Sequence, residues 1–297
     1  MTAAKAGLLQ GFSERWIDAR GVRIRYFVAG AGAPVVLLHG LTGAASNFAE
    51  LAALLALRGR VLIPELPGHG GSAPLPAAPS LDPYAERVRF VAEHEGMLPA
   101  VLVGHSLGGL VALRLAMRHP ASVKGLVLAG AAGIASATRW AEFWISALGY
   151  LKLGRKIAPY SDSFARRGRL RYVPFGYWGA SDPPALSESA VEGFLAGPAL
   201  HTDTISAGRA LVRDDPRLDL ERVGCPALVL WGARDHQVPV EDAFEYARRL
   251  RAPLRTIADC GHLLVGERPD ACAHAIGEFL DRIWHVDELP RETEALG

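Results

Sequence analysis

Ser106 lies in Gly104-His105-Ser106-Leu107-Gly108-Gly109, a G-x-S-x-G pattern between an apolar run at 100–104 and an apolar helical stretch at 107–118. A serine on a sharp strand-to-helix turn is a nucleophile elbow. Gly104 and Gly108 suit it, because a side chain at either place would collide with the adjoining strand or helix. The helix N-terminus behind the serine offers unpaired N–H groups and a positive dipole end, matched to an anionic intermediate. A serine hydroxyl is a weak nucleophile until a base takes its proton, and the chain has 10 histidines. His262, in Asp259-Cys260-Gly261-His262, is best placed: it follows the last predicted strand and precedes the last predicted helix. His39 and His69 belong to loops of the same sheet edge but precede the nucleophile. His105 is expected to pack on the strand side of the elbow. His94, His119, His274 and His285 fall in or at the ends of helices, and His201 is expected at the surface or lining a pocket. An acid must hold the imidazole tautomer and stabilise its charged form. Asp235, in Trp231-Gly232-Ala233-Arg234-Asp235, follows a predicted strand, although His236 beside it would compete for it. Asp214, Asp215 and Asp219 precede that strand and fall at its wrong end. The oxyanion of acyl transfer needs two backbone N–H donors. Leu107 supplies one; the second comes from His39-Gly40-Leu41-Thr42-Gly43, with Leu41 as first choice and Thr42 as the alternative.

The elements that must position these residues alternate. Stretches 14–19 and 22–28, joined at Arg20-Gly21, read as an antiparallel hairpin at a sheet edge. Residues 34–38 form a continuous apolar run, the mark of a strand covered on both faces. Further strands are predicted at 60–64, 100–104, 123–129, 226–231 and 254–258. Helices are predicted at 47–58, 82–95, 107–118, 240–251 and 268–284. Such alternation requires a mainly parallel sheet covered on both faces, an α/β fold of eight strands. Ligands then sit beyond the C-terminal strand ends, where the chemistry-bearing loops fall. Residues 133–206 interrupt the pattern. They hold three of the 6 Trp, four of the 7 Tyr and four of the 10 Phe, broken by Pro159, Pro174, Pro183, Pro184 and Pro198. They read as a helical insertion, leaving 1–132 and 207–297 as the core domain.

The chain has 297 residues with a net charge of +1, so no global electrostatic case exists for nucleic acid. No apolar run reaches the roughly 18 residues of a membrane span, and the N-terminus does not read as a secretory signal. Cys225, Cys260 and Cys272 have no metal-ligand spacing and fit free thiols of a cytoplasmic protein. No metal or cofactor is implied. The expected partner is a small-molecule substrate; monomer and homodimer both remain open.

Taken together, these motifs resemble the capped, serine-nucleophile branch of the α/β-hydrolase family, which holds esterases, lipases and carbon–carbon bond hydrolases. His39-Gly40 resembles its oxyanion-loop motif, and Leu66-Pro67-Gly68-His69-Gly70-Gly71-Ser72 its loop after the next strand. Glu65 stands where many relatives have Asp. Ser106, Asp235 and His262 fall on the catalytic positions, and Val238-Pro239 and Glu267-Arg268-Pro269 also follow the pattern. The resemblance implies a helical cap at 133–206. Its substrate pocket would be lined by Gly40, His105, Trp140, Trp144, Val238 and Leu263. Epoxide hydrolases and haloalkane dehalogenases, with Asp at the nucleophile, are excluded. Carbon–carbon hydrolases usually carry Asn where this chain has His105, and an aromatic residue where it has Leu263, so the resemblance favours a carboxylesterase. Meta-cleavage-type carbon–carbon hydrolases, cofactor-free haloperoxidase-like or acyltransferase relatives, and a non-catalytic small-molecule receptor are the alternatives. Between Lys152 and Arg171 the insertion has seven basic residues and one acidic residue, Asp162, read as a solvated lid face.

Overall fold

The computed structural model describes residues 8–134, 156–176 and 179–285. Its strands are β1 (Ser13–Asp18), β2 (Arg23–Ala29), β3 (Pro34–Leu38), β4 (Arg60–Pro64), β5 (Ala100–His105), β6 (Val123–Ala129), β7 (Ala227–Gly232) and β8 (Leu254–Ile257). The helices are α1 (Ala49–Ala56), α2 (Asp82–His94), α3 (Leu107–Arg118), α4 (Ser161–Arg166), α5 (Tyr172–Phe175), α6 (Glu188–Ala196), α7 (Thr204–Arg213), α8 (Val240–Leu250), α9 (Leu264–Glu267) and α10 (Pro269–His285). One sheet runs β1-β2-β4-β3-β5-β6-β7-β8. The hairpin β1–β2 and the pair β2–β4 are antiparallel, and every other pair is parallel. The β1–β2 turn places Arg20 at φ 56° and Gly21 at φ 80°. Two successive positive φ values make the primed turn whose twist matches a hairpin.

The central strands divide their side chains between two cores. Val36, Leu38, Leu102, Leu126, Leu128, Val229 and Trp231 pack with α2, α3 and α8. Their alternate neighbours Val35, Leu37, Val101, Val103, Val127, Leu228 and Leu230 pack with α1 and α10. This period-two partition is why the strands read as unbroken apolar runs. Chain order reverses at β3, which lies between β4 and β5, so the switch point, where open sheets of this kind place a ligand crevice, falls at the C-terminal ends of β3 and β5. Leu38 and Gly104 are direct partners there, bringing the loops after both strands together.

The described part of the segment between β6 and β7 has a small core of its own, with Ala165, Phe175, Leu186, Ala190, Val191 and Leu195. Arg171 is buried beside it, and its guanidinium donates to the carbonyls of Phe164 (3.2 Å), Pro184 (2.8 Å), Ala165 and Leu186. Lys156, Arg166, Arg167 and Arg169 are exposed, so among the described residues the basic run is a solvated face except at Arg171, while Lys152 and Arg155 lie outside them. The segment rests on the sheet domain where Ser46 Oγ donates to Gly193 O at 2.6 Å. α7 packs Ala207, Ala210 and Leu211 into the α2–α3 core. Between His262 and the last helix, four-residue α9 is too short to leave an apolar period in the sequence. No helix among the described residues is long and apolar enough to cross a membrane.

Candidate active site

The turn from β5 into α3 is closed by backbone geometry. Ser106 holds φ 52°, ψ −118°, a conformation that L-residues occupy only when their surroundings enforce it. Its N–H donates to Ala129 O (3.1 Å), and its carbonyl accepts from Gly109 N (2.9 Å) and Ala132 N (3.2 Å). A Cβ on Gly104 would lie 2.4 Å from Gly108 O, and one on Gly108 would lie 2.0 Å from Leu38 O. Only glycine fits at either place. The side chain of Ser106 is buried at the α3 N-terminus, where the N–H of Leu107, the first helical residue, has no preceding turn to donate to.

Asp235 follows β7 and His262 follows β8, and they meet. The Nδ1–H of His262 donates to Asp235 Oδ2 at 2.8 Å, with both side chains shielded from solvent. The other carboxylate oxygen accepts from Gln237 N (2.9 Å) and Val238 N (2.8 Å), which aims the carboxylate at the ring. Gly130, at the end of β6, lies under the pair. A Cβ there would be 3.4 Å from His262 Nδ1 and 3.5 Å from Asp235 Oδ2. Serine, glycine, aspartate and histidine thus occupy the C-terminal ends of four neighbouring strands. Among the described residues no hydrogen bond joins the Ser106 hydroxyl to the imidazole in this conformation. The link runs through His105, whose ring stands 4.9 Å from that of His262 and whose Nε2–H donates to His262 O at 2.8 Å. Burial, reinforced by the neighbouring imidazole, lowers His105 to about 3, so it is a neutral prop for the His262 turn.

The loop after β3 leans on the elbow: a Cβ on Gly40 would be 3.1 Å from Ser106 Cβ. Gly43 N donates to Gly40 O at 3.0 Å, and Thr42 holds φ 58°, giving a tight turn over Leu41 and Thr42. His39 anchors it. Its Nδ1–H donates to Gly40 O (2.9 Å) and its Nε2 accepts from Leu66 N (3.0 Å), a pattern only the neutral ring can make. Burial lowers His39 to about 4. The rival acids are engaged elsewhere: Asp214 takes Arg114 Nε at 2.9 Å, and Asp215 takes Arg217 Nε at 2.9 Å. Burial pushes Cys225 up to about 11 and Cys272 up to about 12, so neither is a ready thiolate.

Residues 33–269 match the family model described as alpha/beta hydrolase fold. The chain belongs to the α/β-hydrolase fold family. Among its relatives, the 2-hydroxymuconate semialdehyde hydrolase of Pseudomonas sp. (strain CF600) is 30% identical over 90% of this chain and 93% of that protein. The pimeloyl-[acyl-carrier protein] methyl ester esterase of Chromobacterium violaceum is 34% identical over 71% of this chain and 79% of that protein. A solved bacterial membrane phospholipase A superposes with a TM-score of 0.71 at 28% identity, covering 94% of this chain and 88% of that one.

Within this α/β-hydrolase, two features of the site left little trace in the sequence. His201 reaches from the chain before α7 to both loops flanking the crevice. Its Nε2–H donates to Thr42 O at 2.7 Å, and its Nδ1 accepts from Gly70 N at 3.0 Å. Glu267 accepts N–H groups from the His262 turn and from residues 181–182. Only long-range contact reveals either role. Glu65, the departure from the usual Asp, is accommodated. It is buried, its carboxylate accepts from Gly71 N at 2.6 Å, and Gly70 leaves the space it fills. Val238 is buried with its N–H on Asp235 and its carbonyl on Trp231 Nε1, so its visible contacts fix Asp235 and Trp231. Leu263 packs against the small core of the inserted segment. Trp140 and Trp144 lie outside the described residues.

Proposed function

We propose that this α/β-hydrolase is a serine carboxylesterase acting on a small to medium, largely apolar ester, with Ser106 as nucleophile, His262 as base and Asp235 as the acid that steadies it. The observation that carries the reading is the shielded 2.8 Å contact of His262 Nδ1 with Asp235 Oδ2, at the sheet edge that holds the strained Ser106. That contact leaves Nε2 as the ring's basic atom. Nε2 takes the Ser106 proton as the hydroxyl oxygen attacks the ester carbonyl. The developing oxyanion is held by the N–H of Leu107 and that of Leu41, or of Thr42 in its place. Collapse of the tetrahedral intermediate breaks the bond to the alcohol, which leaves with the proton from His262. Water then gives its proton to His262 as it attacks the acyl-enzyme; the acyl–Oγ bond breaks, the acid leaves, and His262 returns the proton to Ser106. Residues 133–206 form a cap over the crevice, and Gly40, His105, Val238 and Leu263, with Trp140 and Trp144 from the cap, shape the substrate pocket.

A second reading, carbon–carbon bond hydrolysis, is favoured by the 30% identity to the semialdehyde hydrolase over 90% of this chain. His105 before the nucleophile and Leu263 after the base favour the ester. A panel of aryl and methyl esters beside a vinylogous diketone separates the two. Turnover of esters with the diketone untouched is expected; the reverse would overturn the ester assignment. Fluorophosphonate must label the wild type and not Ser106→Ala; persistent labelling would remove Ser106 from the mechanism.

A further inference from the structure

The turn carrying His262 is fastened on both sides to a short strap, residues 179–182, of the inserted segment. Leu263 N donates directly to Gly179 O at 3.1 Å. On the other side the link runs through Glu267, the last residue of α9, which is buried. Its Oε2 accepts from Gly261 N at 2.7 Å, while its Oε1 accepts from Ser181 N at 2.8 Å and Asp182 N at 3.2 Å. The two oxygens of one carboxylate thus address two pieces of chain far apart in sequence. The joint is tight: a Cβ on Gly261 would be 2.7 Å from Gly179 O and 2.8 Å from Ser181 N. The strap continues into the insertion core, with Ala180 N on Phe175 O at 2.9 Å.

Accepting His262 as the base, we propose that Glu267 is a positioning residue that couples the strap 179–182 to the aim of the His262 imidazole. Gly261, tied to the strap through the carboxylate, and Leu263, tied to it directly, are the immediate neighbours of His262 and cannot move independently of the strap while both ties hold. A displacement of the inserted segment is therefore transmitted to the base. The role requires an acceptor on both sides. A carboxylate supplies it and a carboxamide does not, because its NH2 would face an N–H at one end. Glu267→Gln keeps the volume and removes one tie.

The test compares wild type and Glu267→Gln in fluorophosphonate labelling of Ser106, resolved into a maximal rate and an affinity. The expected result is a maximal rate lowered roughly 10- to 100-fold with affinity changed by no more than about twofold, since misplacing a catalytic group by a fraction of an ångström acts on the rate. The low-field proton resonance of the Nδ1–H shared by His262 and Asp235 is expected to shift or broaden in the variant. Wild-type labelling rate and an unchanged resonance overturn the proposal. Failure of the wild type itself to label at Ser106 overturns the base assignment, and this role with it. If Glu267→Gln does not fold, amide exchange on the wild type decides. Protection at Gly261, Ser181 and Asp182 rising together on phosphonylation supports the coupling, and independent changes overturn it.

Discussion

The elbow at Ser106 and the helical segment between β6 and β7 are held by opposite means. At the elbow, backbone meets backbone. Gly104 and Gly108 have no space for even a methyl group, and Leu38 and Ala129 close the turn from the neighbouring strands. The inserted segment instead relies on a small apolar cluster and a few polar pins: Arg171 inside it, Ser46 against α6, Glu267 at the strap and His201 at its exit. A turn fixed by the sheet cannot relax without moving several strands, whereas a pinned segment can open locally. The residues proposed as catalytic sit on the first kind of structure, and the segment proposed to cover them is of the second.

The largest expected effect removes chemistry while sparing the stiff region. Ser106→Ala should lower kcat by about 10⁶-fold and Asp235→Asn by about 10⁴-fold, because the proposed triad would act as a unit. Ser106→Ala should keep the wild-type melting temperature, since the φ of 52° at Ser106 belongs to the turn and costs alanine no more than serine. A large loss of stability in Ser106→Ala would show that the side chain holds the elbow, erasing the contrast. The converse change is Gly108→Ala. Its methyl would arrive 2.0 Å from Leu38 O, so activity and fold should fail together, by about 4 kcal/mol or more in chemical denaturation.

The stiff region was legible in the sequence and the pinned one was not, for the same physical reason. Burial on both faces writes each central strand as an apolar run, and absence of space writes Gly104 and Gly108 as glycine. These are local signals, and they put Ser106, Asp235 and His262 on neighbouring strand ends from sequence order alone. Arg171 shows the limit. A run of seven basic residues reads as a solvated face, and only folded carbonyls from residues 164, 165, 184 and 186 reveal that one of them is a buried clamp. Glu267 and His201 hide likewise, since their partners lie 86 and 159 residues away. Glu65 shows the reverse: a departure from the usual Asp, visible in the sequence, is matched by Gly70, whose missing side chain makes room.

Acid should weaken the stiff region. His39 is held neutral, its value lowered from 6.5 to about 4 by burial. The unfolded chain takes up a proton near 6.5 and the native state does not until about 4. The His39 contribution is therefore level above 6.5 and falls between 6.5 and 4, by about 3 kcal/mol at 1.36 kcal/mol per pH unit. His105, lowered to about 3, extends the loss to lower pH. Urea midpoints from pH 4 to 8 check this. A midpoint that stays level down to pH 4 would mean the imidazoles are protonated in place, which the Leu66 N–H donated to His39 Nε2 forbids.

The smallest effect is the most local. Arg171→Met keeps the apolar stem and deletes the charged head, leaving the carbonyls of Phe164, Ala165, Pro184 and Leu186 without that donor. Buried acceptors left unpaired cost about 1–3 kcal/mol each when they stay dry, but this segment can admit water by opening. The expected loss is therefore about 2 kcal/mol, confined to residues 156–200, with faster proteolysis there and sheet amides that exchange at wild-type rates. Because the strap 179–182 belongs to that segment, labelling of Ser106 should slow modestly through Glu267, and far less than in Glu267→Gln itself. Should the β5 and β6 amides lose protection together with the segment, the two regions would form one cooperative unit, and the division between a stiff edge and a pinned segment would be wrong.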